Sequence, residues 1–298
     1  LHANQETEVN NWPPALRVGF WMCVTALGFA VMLNTVRHLS DSGLHVMVVT
    51  FWRNVFAVVF FTPLILRYWP SRFGAARWGA YSLRAIIMTI STATLFLGAI
   101  LLPVAEATAL SFTAPLFTVI GAILFLKEKV GWRRWSALIV GFGGILIMLR
   151  PGGEAFQTGA LAVLAASITF AAVTLMGKVL LRTDAPALVT LNLSLYSLPF
   201  SLLITLPFWQ WPSGDQWFWL MVLGIAAIVN IYGITKALQA GDASLAQAFD
   251  FLRLPTTALL ALVWFNQLPD IYVWIGTAII AASSIYIAQR EARLRGSE

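Results

Sequence analysis

Three stretches of this chain, Trp135 to Leu149, Gly159 to Val173 and Tyr272 to Ala288, run without a charged residue. Each approaches or reaches the ~20 residues an α-helix needs to cross the hydrocarbon of a bilayer. In lipid every backbone N–H and C=O must be bonded within the protein, which leaves helices as the conformation for such runs. Composition agrees: apolar residues make up 59% and charged residues 11% of the 298 positions, where a soluble domain shows roughly 45–50% and about 25%. Too little polar surface exists to cover this chain in water.

Hydropathy predicts spans at Ala15–Val36, Val46–Leu66, Gly79–Leu101, Ala105–Leu126, Trp135–Leu149, Thr158–Leu181, Ala187–Pro207, Gln216–Leu238, Ser244–Phe265 and Ile271–Gln289. The connectors are short and rich in turn formers, such as Asp41-Ser42-Gly43 and Pro151-Gly152-Gly153, and leave no room for a soluble domain. The segment from Leu1 to Pro14 is polar and lacks the basic region and cleavage site of a secretory signal, so no leader is expected in it. Cys23 is the single cysteine and sits in the first apolar run, where it is expected as a small buried apolar residue.

The net charge of +6 raises the question of a nucleic-acid partner, and the placement of the cations excludes it. Threading the spans alternately across a bilayer puts Arg17, Arg67, Arg72, Arg77, Arg84, Lys127, Lys129, Arg133, Arg134, Lys178, Arg182, Lys236, Arg290, Arg293 and Arg295 on or near one side, and only Arg37 and Arg150 on the other. The positive-inside bias then predicts that both termini lie in the cytoplasm. Tryptophans such as Trp69, Trp78, Trp132, Trp211 and Trp217 fall at span ends, where amphipathic rings favour the headgroup region.

The chain repeats itself at an offset near 140 residues: Val49-Thr50 matches Val189-Thr190, Pro115 matches Pro255 and Gly19 matches Gly159. The halves are therefore residues 1–150 and 151–298, each with five crossings. An odd number of crossings forces the second half to enter the membrane from the opposite side. The expected fold is all-α, ten transmembrane helices as two inverted five-helix repeats around a central cavity, an arrangement characteristic of secondary transporters.

The stretch Pro103-Val-Ala-Glu-Ala-Thr-Ala-Leu-Ser-Phe-Thr-Ala-Pro115, with Leu126-Lys-Glu-Lys129 after it, resembles the drug/metabolite transporter superfamily in its ten-helix form. Gly241-Asp-Ala-Ser-Leu-Ala-Gln-Ala-Phe and Pro255 look like its second copy, although Gln267 stands where that copy's acidic residue is expected. The resemblance implies movement of a small metabolite across the inner (plasma) membrane, usually export, with the fifth and tenth helices at the periphery. Within the superfamily the aromatic amino-acid exporters look nearest, which makes aromatic and branched apolar amino acids the expected cargo. The alternatives are export of another metabolite or a cationic drug, or a non-saturable channel or scramblase.

Pro115 and Pro255 are the candidate hinges, because an intrahelical proline removes a hydrogen bond and frees the carbonyl four residues earlier, here those of Ser111 and Phe251. Arg253 lies roughly nine residues into its span, about 14 Å at helical rise and near the midplane. An unpaired charge there costs at least about 3 kcal/mol, and Asp250, three residues earlier on the same face, is its expected partner. Arg253 and Asp250 form either a self-neutralising structural pair or a substrate-recognising one. Gln247, Asn230 and Thr113 are candidate cavity side chains, and Trp21, Phe170 and Tyr232 candidate aromatic walls. Arg53, about two turns into its span, can partly snorkel, and Glu106 is placed to complement a helix dipole. No H-E-x-x-H, G-x-S-x-G or P-loop motif occurs, so no catalytic residue, metal or cofactor is expected. The partners are a small-molecule substrate and the bilayer, with monomer and homodimer both open.

Overall fold

The computed structural model describes residues 14–68, 78–126, 132–149, 158–180, 184, 186–240, 249–250 and 252–295. Their helices are α1 (Pro14–Asp41), α2 (Val46–Tyr68), α3 (Trp78–Leu101), α4 (Val104–Ser111), α5 (Ala114–Leu126), α6 (Trp132–Leu149), α7 (Thr158–Leu180), α8 (Pro186–Thr205), α9 (Gln216–Ala240), α10 (Arg253–Phe265) and α11 (Ile271–Arg295). The spans read from hydropathy each meet a helix, with α4 and α5 together making the fourth crossing. Gln247 lies outside the described residues.

Turn chemistry ends the helices where the sequence demands it. After α1 the chain closes a Schellman turn: Leu44 N–H donates to Leu39 O at 3.1 Å and Gly43 N–H to Ser40 O at 2.9 Å. Gly43 sits at φ 90°, which a side chain would resist. At the end of α10, Asn266 takes the left-handed conformation at φ 53° and its N–H donates to Leu262 O.

The helices pair across the two halves rather than within them. α1 lies against α9, α3 against α7, and α6 against α11. α10 also packs on α1 and α5 on α7, while α9 and α8 pack on α2 and α3 respectively. Exchanging each crossing for the one five later maps this pattern onto itself, so the symmetry read from the repeat is the symmetry of the packing. Small residues hold the pairs close, as expected where lipid supplies no hydrophobic drive between helices. A Cβ on Gly28 of α1 would stand 2.8 Å from the Asn230 nitrogen of α9, and one on Gly144 of α6 2.9 Å from the Gly276 oxygen of α11.

The surface is apolar, with Phe125 79% and Val263 78% exposed, which suits lipid rather than water. Cys23 departs from expectation. It is exposed, because it falls on the stripe Leu16, Phe20, Cys23, Leu27 that faces out of the bundle at helical spacing.

Candidate functional site

The fourth and ninth crossings are both broken, and at matching places. Between α4 and α5, Phe112 and Thr113 form a turn whose N–H groups reach back three residues, to Ala109 O and Leu110 O. In the ninth crossing the turn falls at Leu252, whose N–H bonds Phe249 O, again three residues back. Each break precedes a proline, Pro115 or Pro255, by about one turn or less. Proline alone is not the cause, since Pro199 sits inside α8 without interrupting it.

The two breaks face each other, because α10 packs against α4. Arg253, the first residue of α10, lies between them. Its guanidinium carbon is 4.7 Å from the centre of the Phe29 ring on α1 and 5.5 Å from that of Phe112 at the opposite break. Its Nη2 donates to the Asp250 carboxylate. Burial strengthens such cation–π contacts to about 2 kcal/mol or more. The arginine is thus held by a carboxylate and two rings, with 20% of its side chain still accessible. Thr113, which corresponds to Arg253 across the repeat, is fully buried, and its hydroxyl has no partner among the described residues.

A second group of the expected residues follows along α1. Trp21, Thr25 and Phe29 recur every four residues and share one face. The Asn230 amide on α9 donates to Thr25 O at 3.1 Å, and the Thr25 hydroxyl to Trp21 O at 3.0 Å. Trp21 meets Tyr232 edge to face at 5.6 Å, and Lys236 lies over the same tyrosine ring at 5.5 Å. Phe249 packs on this end of α1, its ring reaching 3.3 Å from where a Gly19 Cβ would stand. Arg253, Asp250, Asn230, Trp21 and Tyr232 therefore line one track along α1. Among the described residues Phe170 on α7 makes no ring contact with them, and it is 47% exposed, as Tyr232 is at 45%.

Several polar groups were not among the expected site residues. Arg84 of α3 donates to Val173 O of α7 and Val189 O of α8, both at 3.1 Å, and ties three helices together. Nearby, the Tyr81 hydroxyl donates to the Asp184 carboxylate at 2.5 Å and its ring stacks on Tyr196. Phe29 was also missed, although its four-residue spacing from Thr25 and Trp21 was visible. At the end of the bundle away from the termini, Arg37 donates to Leu102 O at 2.6 Å, pairs with Asp41 and covers the Phe265 ring. Gln216 bonds Ser42 there, and His45 stacks on Phe208 at 4.1 Å. These links join α1 to α9 and α10, and the start of α2 to the end of α8.

Against known families, residues 16–150 and 157–289 each match the EamA-like transporter family. The chain belongs to that family. It is therefore a small-molecule transporter of the drug/metabolite transporter superfamily, and not an enzyme. A riboflavin transporter of Vibrio cholerae is 32% identical over 93% of this chain and 95% of its own. An S-adenosylmethionine uptake transporter of Rickettsia prowazekii is 28% identical over 86% and 87%. A crystal structure of a protein 20% identical superposes with a TM-score of 0.63, covering 93% of this chain and 98% of the other, which shows the shared fold. None of these relatives is named for amino-acid export, so the narrower match to aromatic amino-acid exporters gains no support from them.

Proposed function

We propose that this EamA-family protein imports a metabolite built on a planar nitrogen heterocycle, of the flavin or adenine type, by alternating access across the inner membrane with both termini in the cytoplasm. One observation carries the reading: a guanidinium fixed by Asp250 and by the Phe29 and Phe112 rings where two helix breaks meet. A flat heteroaromatic ring offers what such a place recognises, a π-face for the aromatic walls and carbonyl or ring-nitrogen acceptors for the guanidinium. The relatives support the class, being named for riboflavin and S-adenosylmethionine, and those named with a direction are uptake transporters. Import thus replaces export as the favoured direction. Pro115 and Pro255 serve as the pivots, since each stands beside a break whose backbone bonds are already rearranged.

Purified protein in liposomes tests this with riboflavin, S-adenosylmethionine, tryptophan and leucine as cargo. Saturable uptake and counterflow of riboflavin or S-adenosylmethionine are the expected result. Saturable transport of the amino acids alone overturns the heterocycle class. Flux that rises linearly with concentration and shows no counterflow favours a channel or scramblase.

A further inference from the structure

Arg53 stands apart from every other cation placed inside the bundle. It lies on α2, and its Nη1 donates to the Asn54 side-chain oxygen at 3.0 Å. Its guanidinium carbon sits 6.0 Å from the centre of the Phe96 ring on α3. Its Nε is buried with no hydrogen-bond acceptor, and among the described residues no carboxylate pairs with it. The other interior arginines have further partners: Arg253 has Asp250, Arg84 has two backbone carbonyls, and Arg37, whose Nε also lacks a hydrogen bond, has Asp41 at 4.0 Å and Leu102 O. Asn54 is itself 7% exposed, so the neighbour that orients Arg53 belongs to the interior.

Phe96 belongs to the same apolar cluster as Phe29 and Phe112, the rings on which Arg253 rests. Both guanidiniums therefore rest on rings of the same large interior cluster, from different helices. The repeat, in turn, gives Arg53 no counterpart, because the matching stretch Asn192-Leu193-Ser194 carries no charge.

We infer that Arg53 is the anion-recognising residue of the transport site, and that the cargo carries a carboxylate or phosphate group which Arg53 receives. The inference rests on the proposed heterocycle for the body of the cargo, whereas the charge is argued from Arg53 alone. Arg253 is neutralised by Asp250, whereas among the described residues Arg53 meets no carboxylate, and an anionic group supplies the missing acceptor for its buried Nε. A guanidinium presents donors in a planar fork that matches carboxylate and phosphate, which lysine does not. Asn54 keeps the fork aimed while the site is empty.

The test uses pairs of competitors that differ in one anionic group, in proteoliposomes of the full chain. S-adenosylmethionine is compared with its decarboxylated form, riboflavin 5′-phosphate with riboflavin, and tryptophan with tryptophanamide. The wild-type protein is expected to favour the anionic member of the transported pair by about tenfold or more. Arg53→Gln is expected to bring that ratio to about one by lowering uptake of the anionic member, and Arg53→Lys to retain part of the preference. Equal competition by both members in the wild-type protein overturns the inference, whatever the variant does. So does a preference that survives Arg53→Gln, or a common loss of both members in Arg53→Gln and Arg53→Lys. If only the tryptophan pair is transported, the heterocycle reading fails while the charge preference is still read on that pair.

Discussion

Arg253→Ala is expected to lower transport by about 30-fold, the equivalent of ~2 kcal/mol for a lost charge-assisted hydrogen bond. The measurement is initial uptake into liposomes with reconstituted protein quantified in each preparation. The guanidinium is the side chain that joins three elements at the centre of the molecule: its own carboxylate partner Asp250, the Phe29 ring of α1 and the Phe112 ring at the opposing break. Removing it also strands Asp250, which keeps only 16% of its side chain accessible. Breaking a buried ion pair from one side costs about 3–5 kcal/mol, so a loss of activity could reflect a damaged fold. The double variant Asp250→Asn/Arg253→Gln separates the two causes, because it removes both charges together and so leaves neither buried without its partner. Expected for it are a thermal midpoint near that of the wild-type protein and transport as poor as that of Arg253→Ala. If the double variant transports at the wild-type rate, the pair is structural and the recognition role of Arg253 falls.

The fold was legible because its strongest determinants are local in sequence. An uncharged run must be a helix in lipid whatever surrounds it, and five such crossings per half force the inversion without any knowledge of packing. The ion pair was legible for the same reason: Asp250 and Arg253 are three residues apart, close enough to meet across the turn at Leu252. What escaped was set by tertiary approach. Phe29 becomes a wall of the site only because α10 crosses α1 at that level, and Arg84 is a staple only because two carbonyls of other helices come within reach. The prolines marked where the fourth and ninth crossings bend, but not that the chain there abandons the α-helical bond pattern at Phe112, Thr113 and Leu252. Pro199, unmarked by any break, shows that the neighbouring residues and packing decide how far a proline disturbs its helix. Cys23 escaped for a simpler reason. In a membrane protein the apolar stripe faces outward, so small apolar character no longer implies burial.

The packing itself yields the second large effect, in two glycines whose substitutions have opposite signs. Gly28→Ala is expected to lower the thermal midpoint by on the order of 5 °C, from an overpacking cost of about 1–3 kcal/mol. Gly143→Ala is expected to leave the midpoint unchanged or raise it slightly, since alanine is the better helix former by about 1 kcal/mol. Both glycines lie inside long helices, and neither takes a positive φ, so conformation does not distinguish them. Surroundings do. A Cβ on Gly28 would meet the Asn230 nitrogen at 2.8 Å, the Ala226 oxygen at 2.9 Å and the Asn230 Cα at 3.1 Å, whereas one on Gly143 would meet nothing within 4 Å. Every obstacle at Gly28 is backbone, so no rotamer change relieves it, and the only response is for α1 and α9 to part. That separation stretches the Asn230 bond to Thr25 O and pulls Tyr232 from Trp21 on the same two helices. Transport by Gly28→Ala is accordingly expected to fall more than its stability alone accounts for. Thermal midpoints in detergent and uptake in liposomes, measured on both variants, check the pair together. Equal midpoints for the two would mean that α1 and α9 do not meet as closely as their glycines imply.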